Sequence, residues 1–100
     1  MAWMITCDDT AKGANLRADK ALMAAHWAYE LSIKHHILAA GSLRGDDGQT
    51  PKGSLLVLTC ATRAEAVALF EADPATKSGL RDNIRITFWN PAILNGIVQP

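Results

Sequence analysis

Alternation of apolar and polar positions marks both ends of the chain as strands. Over Ala2 to Cys7, Trp3, Ile5 and Cys7 fall on one side and Ala2, Met4 and Thr6 on the other. Over Asn83 to Asn90, Ile84, Ile86 and Phe88 oppose Arg85, Thr87 and Trp89. Two further strands lie between, Ile37 to Leu43 (ILAAGSL) and Ser54 to Cys60 (SLLVLTC), the second apolar on both sides. Helical spacing takes over in two places. Leu22, Met23, His26, Trp27, Tyr29 and Ile33 form the stripe of a helix that runs to about Lys34. It starts between Asn15 and Asp19, each of which could cap it. Thr62-Arg63-Ala64-Glu65 is a capping box, in which hydroxyl and carboxylate each satisfy a free amide at a helix start. The helix that follows, AEAVALFEA, ends near Asp73. Asp8 to Gly13 and Arg44 to Gly53 have the Gly, Asp and Pro content of exposed loops.

The resulting order, β-α-β-β-α-β, predicts an α+β, ferredoxin-like fold. Right-handed crossovers place both helices on one face of a four-stranded antiparallel sheet. The hundred residues are expected to form one domain, 1–100. The second sheet face needs a cover, because SLLVLTC does not alternate as a half-exposed strand should. The same face of another copy supplies it, giving a homodimer with two-fold symmetry. The tail, residues 91–100, still carries Ile93, Leu94, Ile97 and Val98 and is expected to pack on that partner.

Composition narrows the function. Lys plus Arg and Asp plus Glu both number 10, so the formal net charge is zero and no nucleic-acid partner is expected. No apolar run is long enough to span a bilayer, so no membrane partner is expected either. The opening MAWMITCDDT is too short and too quickly acidic for a signal peptide. Cys7 and Cys60, without paired spacing, fit a reducing cytoplasm as small buried hydrophobes at opposite ends of the sheet.

Two residues stand out as candidates for chemistry. His26 sits on the apolar stripe of the first helix, where a histidine is either bonded within the core or tuned by an acid. Asp73 precedes Pro74, the signature of a helix start with Asp as N-cap and Pro at the first helical position. A carboxylate there is favoured in its charged form, which suits it to orient an imidazole. The topology brings the start of the first helix and the end of the second to the same end of the sheet. A start near Asp19 lets the two residues meet more readily than one near Asn15. Ser42, Arg44, Trp89 and Tyr29 are candidates for lining a substrate pocket. His35-His36 and Asp46-Asp47-Gly48 lack the further ligands that a metal site needs, so no metal is expected.

Several short motifs, in order, carry a resemblance to a known family. Ile37-Leu38-Ala39-Ala40-Gly41-Ser42-Leu43, the Asp-Asp-Gly loop, Gly53-Ser54-Leu55-Leu56, Ala72-Asp73-Pro74, Gly79-Leu80 and Trp89-Asn90-Pro91 resemble the YciI-like (YCII-related) family. His26-Trp27-Ala28-Tyr29 is similar to that family's His-Leu-Ala-Tyr/Phe stretch. The resemblance implies a ferredoxin-like fold paired as a dimeric α+β barrel, with His26 and Asp73 as a His-Asp centre. It also implies dehydrochlorination-like chemistry on hydroxylated aromatics, in a superfamily of barrels that hosts cofactor-free oxygenases and isomerases. Three positions depart from the family pattern: Met23-Ala24-Ala25 replaces Arg-Pro-Ala, Ala75 replaces an aromatic after Asp-Pro, and Gly41-Ser42 replaces Gly-Pro.

The expected function is general acid/base chemistry by His26, oriented by Asp73, on a small aromatic or carbonyl metabolite. Proton abstraction with elimination or isomerisation would need no cofactor. The alternatives are a dimeric ligand-binding or accessory module without turnover, and a purely structural dimer.

Overall fold

A computed structural model describes residues Met1–Pro100. Its element order is β1 (Ala2–Asp9), α1 (Gly13–Ala18), α2 (Lys20–Ser32), a 3-10 turn (Lys34–His36), β2 (Ile37–Arg44), β3 (Pro51–Leu58), α3 (Arg63–Glu71), α4 (Pro74–Lys77) and β4 (Arg81–Trp89). A short hairpin, β5 (Ile93–Leu94) and β6 (Ile97–Val98), closes the chain. The four long strands form one antiparallel sheet in the order β2-β3-β1-β4, with both crossovers helical, which is the ferredoxin-like arrangement. No helix is long and apolar enough to cross a membrane.

The single first helix expected from the stripe is two helices. The Asp19 backbone is extended (φ −75°, ψ 103°), and its side chain accepts the Leu22 amide at 3.0 Å, capping α2. The preceding helix is held by Arg17, whose Nε and Nη2 each donate to an Asp9 carboxylate oxygen at 2.8 Å. An extended residue between two turns costs one intrahelical link, and the cap and ion pair offset that loss locally. The break matters because it places His26 in the second turn of α2.

Register assigns the two faces of the sheet. Ile5 faces Leu56 and Ile86, and Trp3 faces Leu58, on the side that α3 covers. Ile5, Cys7, Leu56, Leu58, Cys60, Ala66 and Phe70 form the buried cluster there, flanked by Trp3, Ile37, Leu69 and Ile86. Side chains as fully enclosed as Ile5 and Leu58 contribute roughly 1.5–3 kcal/mol each by leaving water. The opposite face carries Met4, Leu43, Leu55 and Val57, and no helix of this chain covers it. Both cysteines are buried and free.

Three irregularities shape the sheet. Between Thr6 and Asp8, β4 runs from Arg85 to Asp82, one residue longer, and Asn83 absorbs the bulge at φ 48°. A second shift lies between Ile37 and Ala39 on β2, next to the cavity described below, and a third between Leu43 and Arg44. At Gly53 the β1 backbone passes so near that an added Cβ would overlap the Cys7 carbonyl oxygen. The tail hairpin turns at Asn95-Gly96 with φ 51° and 76°, the left-handed pair that a tight two-residue turn requires. Its Ile93, Ile97 and Val98 are exposed.

Candidate functional site

Asp73 is both a helix cap and the centre of a charged cluster. Pro74 fixes the first residue of α4, and Asp73 Oδ1 accepts the Ala75 amide at 2.8 Å. The residue is only 3% exposed, so its charge needs partners. It has two. His26 Nδ1 donates to Asp73 Oδ1 at 2.9 Å and to Oδ2 at 2.8 Å. Arg81 Nη1 reaches Oδ2 at 3.4 Å and donates to Thr76 Oγ1 at 2.8 Å. The Arg81 guanidinium also lies over the Phe70 ring, 5.1 Å from its centroid.

The other imidazole nitrogen is engaged as well. His26 Nε2 lies 3.1 Å from Glu30 Oε1, one helical turn along α2. With a carboxylate at each nitrogen, both ring positions act as donors, which is the charged form. The Asp73 hydrogen bond first, and the Glu30 hydrogen bond second, outweigh the cost of burial and push the His26 pKa up to about 9. Burial alone would push the Asp73 carboxyl up. The His26 bond, the Ala75 amide and the charges of His26 and Arg81 outweigh it and hold that carboxyl below its ordinary value. His26 is therefore an imidazolium at neutral pH, and a proton donor before it can be an acceptor.

This cluster borders a cavity of about 200 Å³ between α2 and the sheet. His26, Trp27 and Glu30 wall it on the helix side, Ala40 to Ser42 and Ser54 to Leu56 on the strands. Ile5 and Phe70 provide apolar wall, and Arg17 and Arg81 reach it from the ends of their elements. One six-membered ring with small substituents is the scale that fits, since a void of about 150 Å³ accepts benzene. His26, Glu30 and Asp73 are also the group that could hold a metal ion, with ligand atoms all within 4.8 Å of one another. The two acids sit at opposite nitrogens of one ring, so an ion at either nitrogen meets that nitrogen and one adjacent carboxylate.

The structure thus brings His26 and Asp73 together and puts Ser42 on the cavity wall. The other three candidate pocket residues lie elsewhere. Tyr29 donates its hydroxyl to the Leu69 carbonyl at 2.7 Å, tying α2 to α3, and lines a separate groove with His36 and Cys60. Arg44 donates to Ser42 Oγ at 2.9 Å and to the Gly48 carbonyl at 3.1 Å, outside the cavity. Trp89 pairs with Ala2 on the sheet face opposite the helices, so strand register turns it away from His26. The Asp-Asp-Gly loop is a turn. Asp47 accepts the Gln49 and Thr50 amides at 2.9 Å and the Thr50 hydroxyl at 2.6 Å, and that hydroxyl with the two amides pulls its carboxyl down to about 2.

Sequence reasoning misses four residues of the site. Glu30 is visible as an acid four positions after His26 on the same helix face. Trp27 belongs to the apolar stripe, yet at 60% exposure it forms the outer lip of the cavity rather than core. Arg81 gives no signal, because an arginine at a strand start is ordinarily solvated and this side chain is 5% exposed. Arg17 depends on Asp9, a contact that spacing alone does not specify.

Comparison with known proteins agrees with this architecture. No curated protein matches the chain. Among solved structures it is similar to 5-chloro-2-hydroxyhydroquinone dehydrochlorinase from Burkholderia phenoliruptrix AC1100, determined with 2,5-dihydroxybenzoquinone bound. The two share 29% identity over 90% of this chain and 94% of that one, with a TM-score of 0.78. The model of the YCII-related domain family matches residues 1–90. With that match over most of its length and the ferredoxin-like order of its strands, the chain belongs to the YCII-related domain family.

Proposed function

We propose that this protein is a small-molecule enzyme whose His26 and Asp73 carry out general acid/base chemistry on a small aromatic or carbonyl metabolite. The observation that carries the reading is the two-oxygen contact of Asp73 with His26 Nδ1 at the edge of a ring-sized cavity. Similarity to a dehydrochlorinase of the same family supports it. Because the ring is charged before substrate arrives, the first proton moves from Nε2 to a substrate oxygen or to a departing group. Asp73 keeps the Nδ1 proton in place and stabilises the charged ring on either side of that step. The neutral ring left behind then takes a proton from substrate carbon. Together the two movements make an isomerisation or, with loss of chloride, an elimination. A positioned acid/base of this kind is worth roughly 10²–10⁴ in rate.

One observation favours the second reading, a ligand-binding module without turnover. His26 Nε2 already faces the Glu30 carboxylate, 3.1 Å away. The same proposal takes the chain as one cytoplasmic domain that works as a homodimer. Its support is Leu43, exposed on a sheet face that no helix of this chain covers, and the exposed Ile93, Ile97 and Val98 of the tail.

The test is turnover of 5-chloro-2-hydroxyhydroquinone and related halogenated or carbonyl-bearing rings, read as chloride release and product formation. Wild type should turn over at least one compound, and His26→Ala and Asp73→Asn should lose at least about a hundredfold. Equal rates in wild type and His26→Ala across the panel would overturn the enzyme reading.

A further inference from the structure

The cavity beside His26 is lined by three cationic groups, Arg17, Arg81 and His26, and by a single carboxylate, Glu30. Arg17 is matched by Asp9 in a two-bond ion pair. Asp73 is shared: it holds His26 closely and Arg81 only at 3.4 Å. Arg81 is left under-matched, and its buried Nε has no hydrogen-bond partner at all. A buried guanidinium atom without an acceptor is costly, so the site lacks an anion at this end. Glu30 is the one cavity-lining group that meets His26 Nε2 with negative charge. Its tie is a single contact at 3.1 Å on a side chain still 19% exposed. Nothing else in the protein bonds its carboxylate, so a change of rotamer releases it.

We propose that Glu30 stands in for the ligand: a planar monocyclic organic acid enters the cavity, and its oxyanion displaces the Glu30 carboxylate from His26 Nε2. The ring of such a ligand fits between Trp27 and the strand wall, and its charge answers His26 and Arg81 together. Ser42 and Ser54, on facing residues of β2 and β3, offer hydroxyls to further ring substituents. Glu30 is then a positioning residue. It keeps the empty site neutral and the imidazole protonated, and it penalises any ligand without the charge to replace it. Neutral rings are selected against because they would leave Nε2–H without an acceptor.

This inference rests on reading the cavity as the ligand site, but it requires binding alone and not turnover. The test is calorimetric titration of wild type and Glu30→Gln with benzoate and 2,5-dihydroxybenzoquinone as anionic probes, and benzyl alcohol as a neutral one. At least one anionic probe should bind Glu30→Gln about tenfold or more tightly than wild type, because a like charge no longer competes. The neutral probe should bind more weakly than the acids and change little between the two proteins. In wild type the same acid should shift the His26 ring resonances. Glu30→Ala should reproduce the tightening. Equal or weaker binding of the acids to Glu30→Gln would overturn the proposal, as would failure of both acids to bind either protein. If His26→Ala abolishes turnover while Glu30→Gln does not tighten binding, the enzyme reading survives and this one falls. Tightening without any turnover upholds the displaced carboxylate and removes the enzyme reading instead.

Discussion

Both carboxylate oxygens of Asp73 lie within 2.9 Å of one nitrogen of His26, a residue 47 positions earlier in the chain. Local rules put each residue in place: a Pro-defined helix start holds Asp73, and the Asp19 cap sets the start of α2 and so the turn that carries His26. Together these local devices fix a charged pair beside a cavity, and measurable consequences follow from its geometry.

Stability should depend on pH through this pair. The pKa of His26 is raised in the folded state, so its contribution is full below about 6.5 and is lost as pH rises towards about 9. The Asp73 carboxyl is depressed, so its contribution is present above its unfolded value near 3.8 and disappears as pH falls through the folded value. Both limbs describe one interaction, which is counted once. At about 1.4 kcal/mol per decade the alkaline limb is worth at most roughly 3 kcal/mol, discounted because the ring keeps 20% exposure. Urea midpoints should be highest between about pH 4.5 and 6.5. A flat profile from pH 6 to 9 would contradict the raised His26.

Asp73→Asn separates charge from capping. Asn is as good an N-cap as Asp, so α4 should survive the change. Buried Arg81 and the charged ring, however, lose their common anion. Removing one partner of such a buried group costs roughly 3–5 kcal/mol. Chemical denaturation should show a loss of that order, with Asp73→Ala about 1 kcal/mol worse because the cap goes too. A cost under about 1 kcal/mol for Asp73→Asn would mean that Arg81 finds another partner.

The two strand glycines should respond in opposite ways. At Gly53 a methyl group has no room beside the Cys7 carbonyl, so Gly53→Ala must push β1 and β3 apart. A loss of about 3 kcal/mol or more in thermal or urea unfolding is expected. Around Gly41 there is nothing within 4 Å, so Gly41→Ala should cost less than about 0.5 kcal/mol in the isolated chain. A clear loss at Gly41 that depends on protein concentration would reveal a partner packed against that face.

That face supplies a separate prediction. Leu43 lies on the uncovered side of the sheet and is 39% exposed. If a second copy covers it, wild type should sediment as a dimer at micromolar concentration. Leu43→Arg should then sediment as a monomer with unchanged circular dichroism. A monomeric wild type would remove the dimer from the account.

The sequence carries much of this architecture, for physical reasons that differ by residue. Strand periodicity is local, so all four long strands are legible, as is the Asp73-Pro74 boundary. The Thr62 hydroxyl accepts the Glu65 amide at 3.2 Å, as a capping box requires, although the return bond from the Glu65 carboxylate is not made. The break at Asp19 is less legible, because Asn15 and Asp19 are both good caps and only the Arg17–Asp9 ion pair favours a separate α1. The tail hairpin has a local signal in Asn95-Gly96, which the apolar pattern of the tail alone does not convey. Trp89 is misplaced by its polar-face grouping with Arg85 and Thr87, since face alone does not say which side holds a cavity. Arg81 has no local signal, because burial of a guanidinium is decided by what packs around it. Glu30 has the largest chemical consequence of the residues missed: after Asp73, it is the second group that holds the His26 ring in its charged form.

Titration of the His26 ring by NMR, in wild type and in Asp73→Asn, tests that claim most directly. The ring should titrate with an apparent pKa near 9 in wild type and fall by more than about one pH unit in the variant, with Glu30 retaining part of the elevation. A wild-type ring titrating near 6.5, or a value unmoved by loss of the carboxylate, would contradict it.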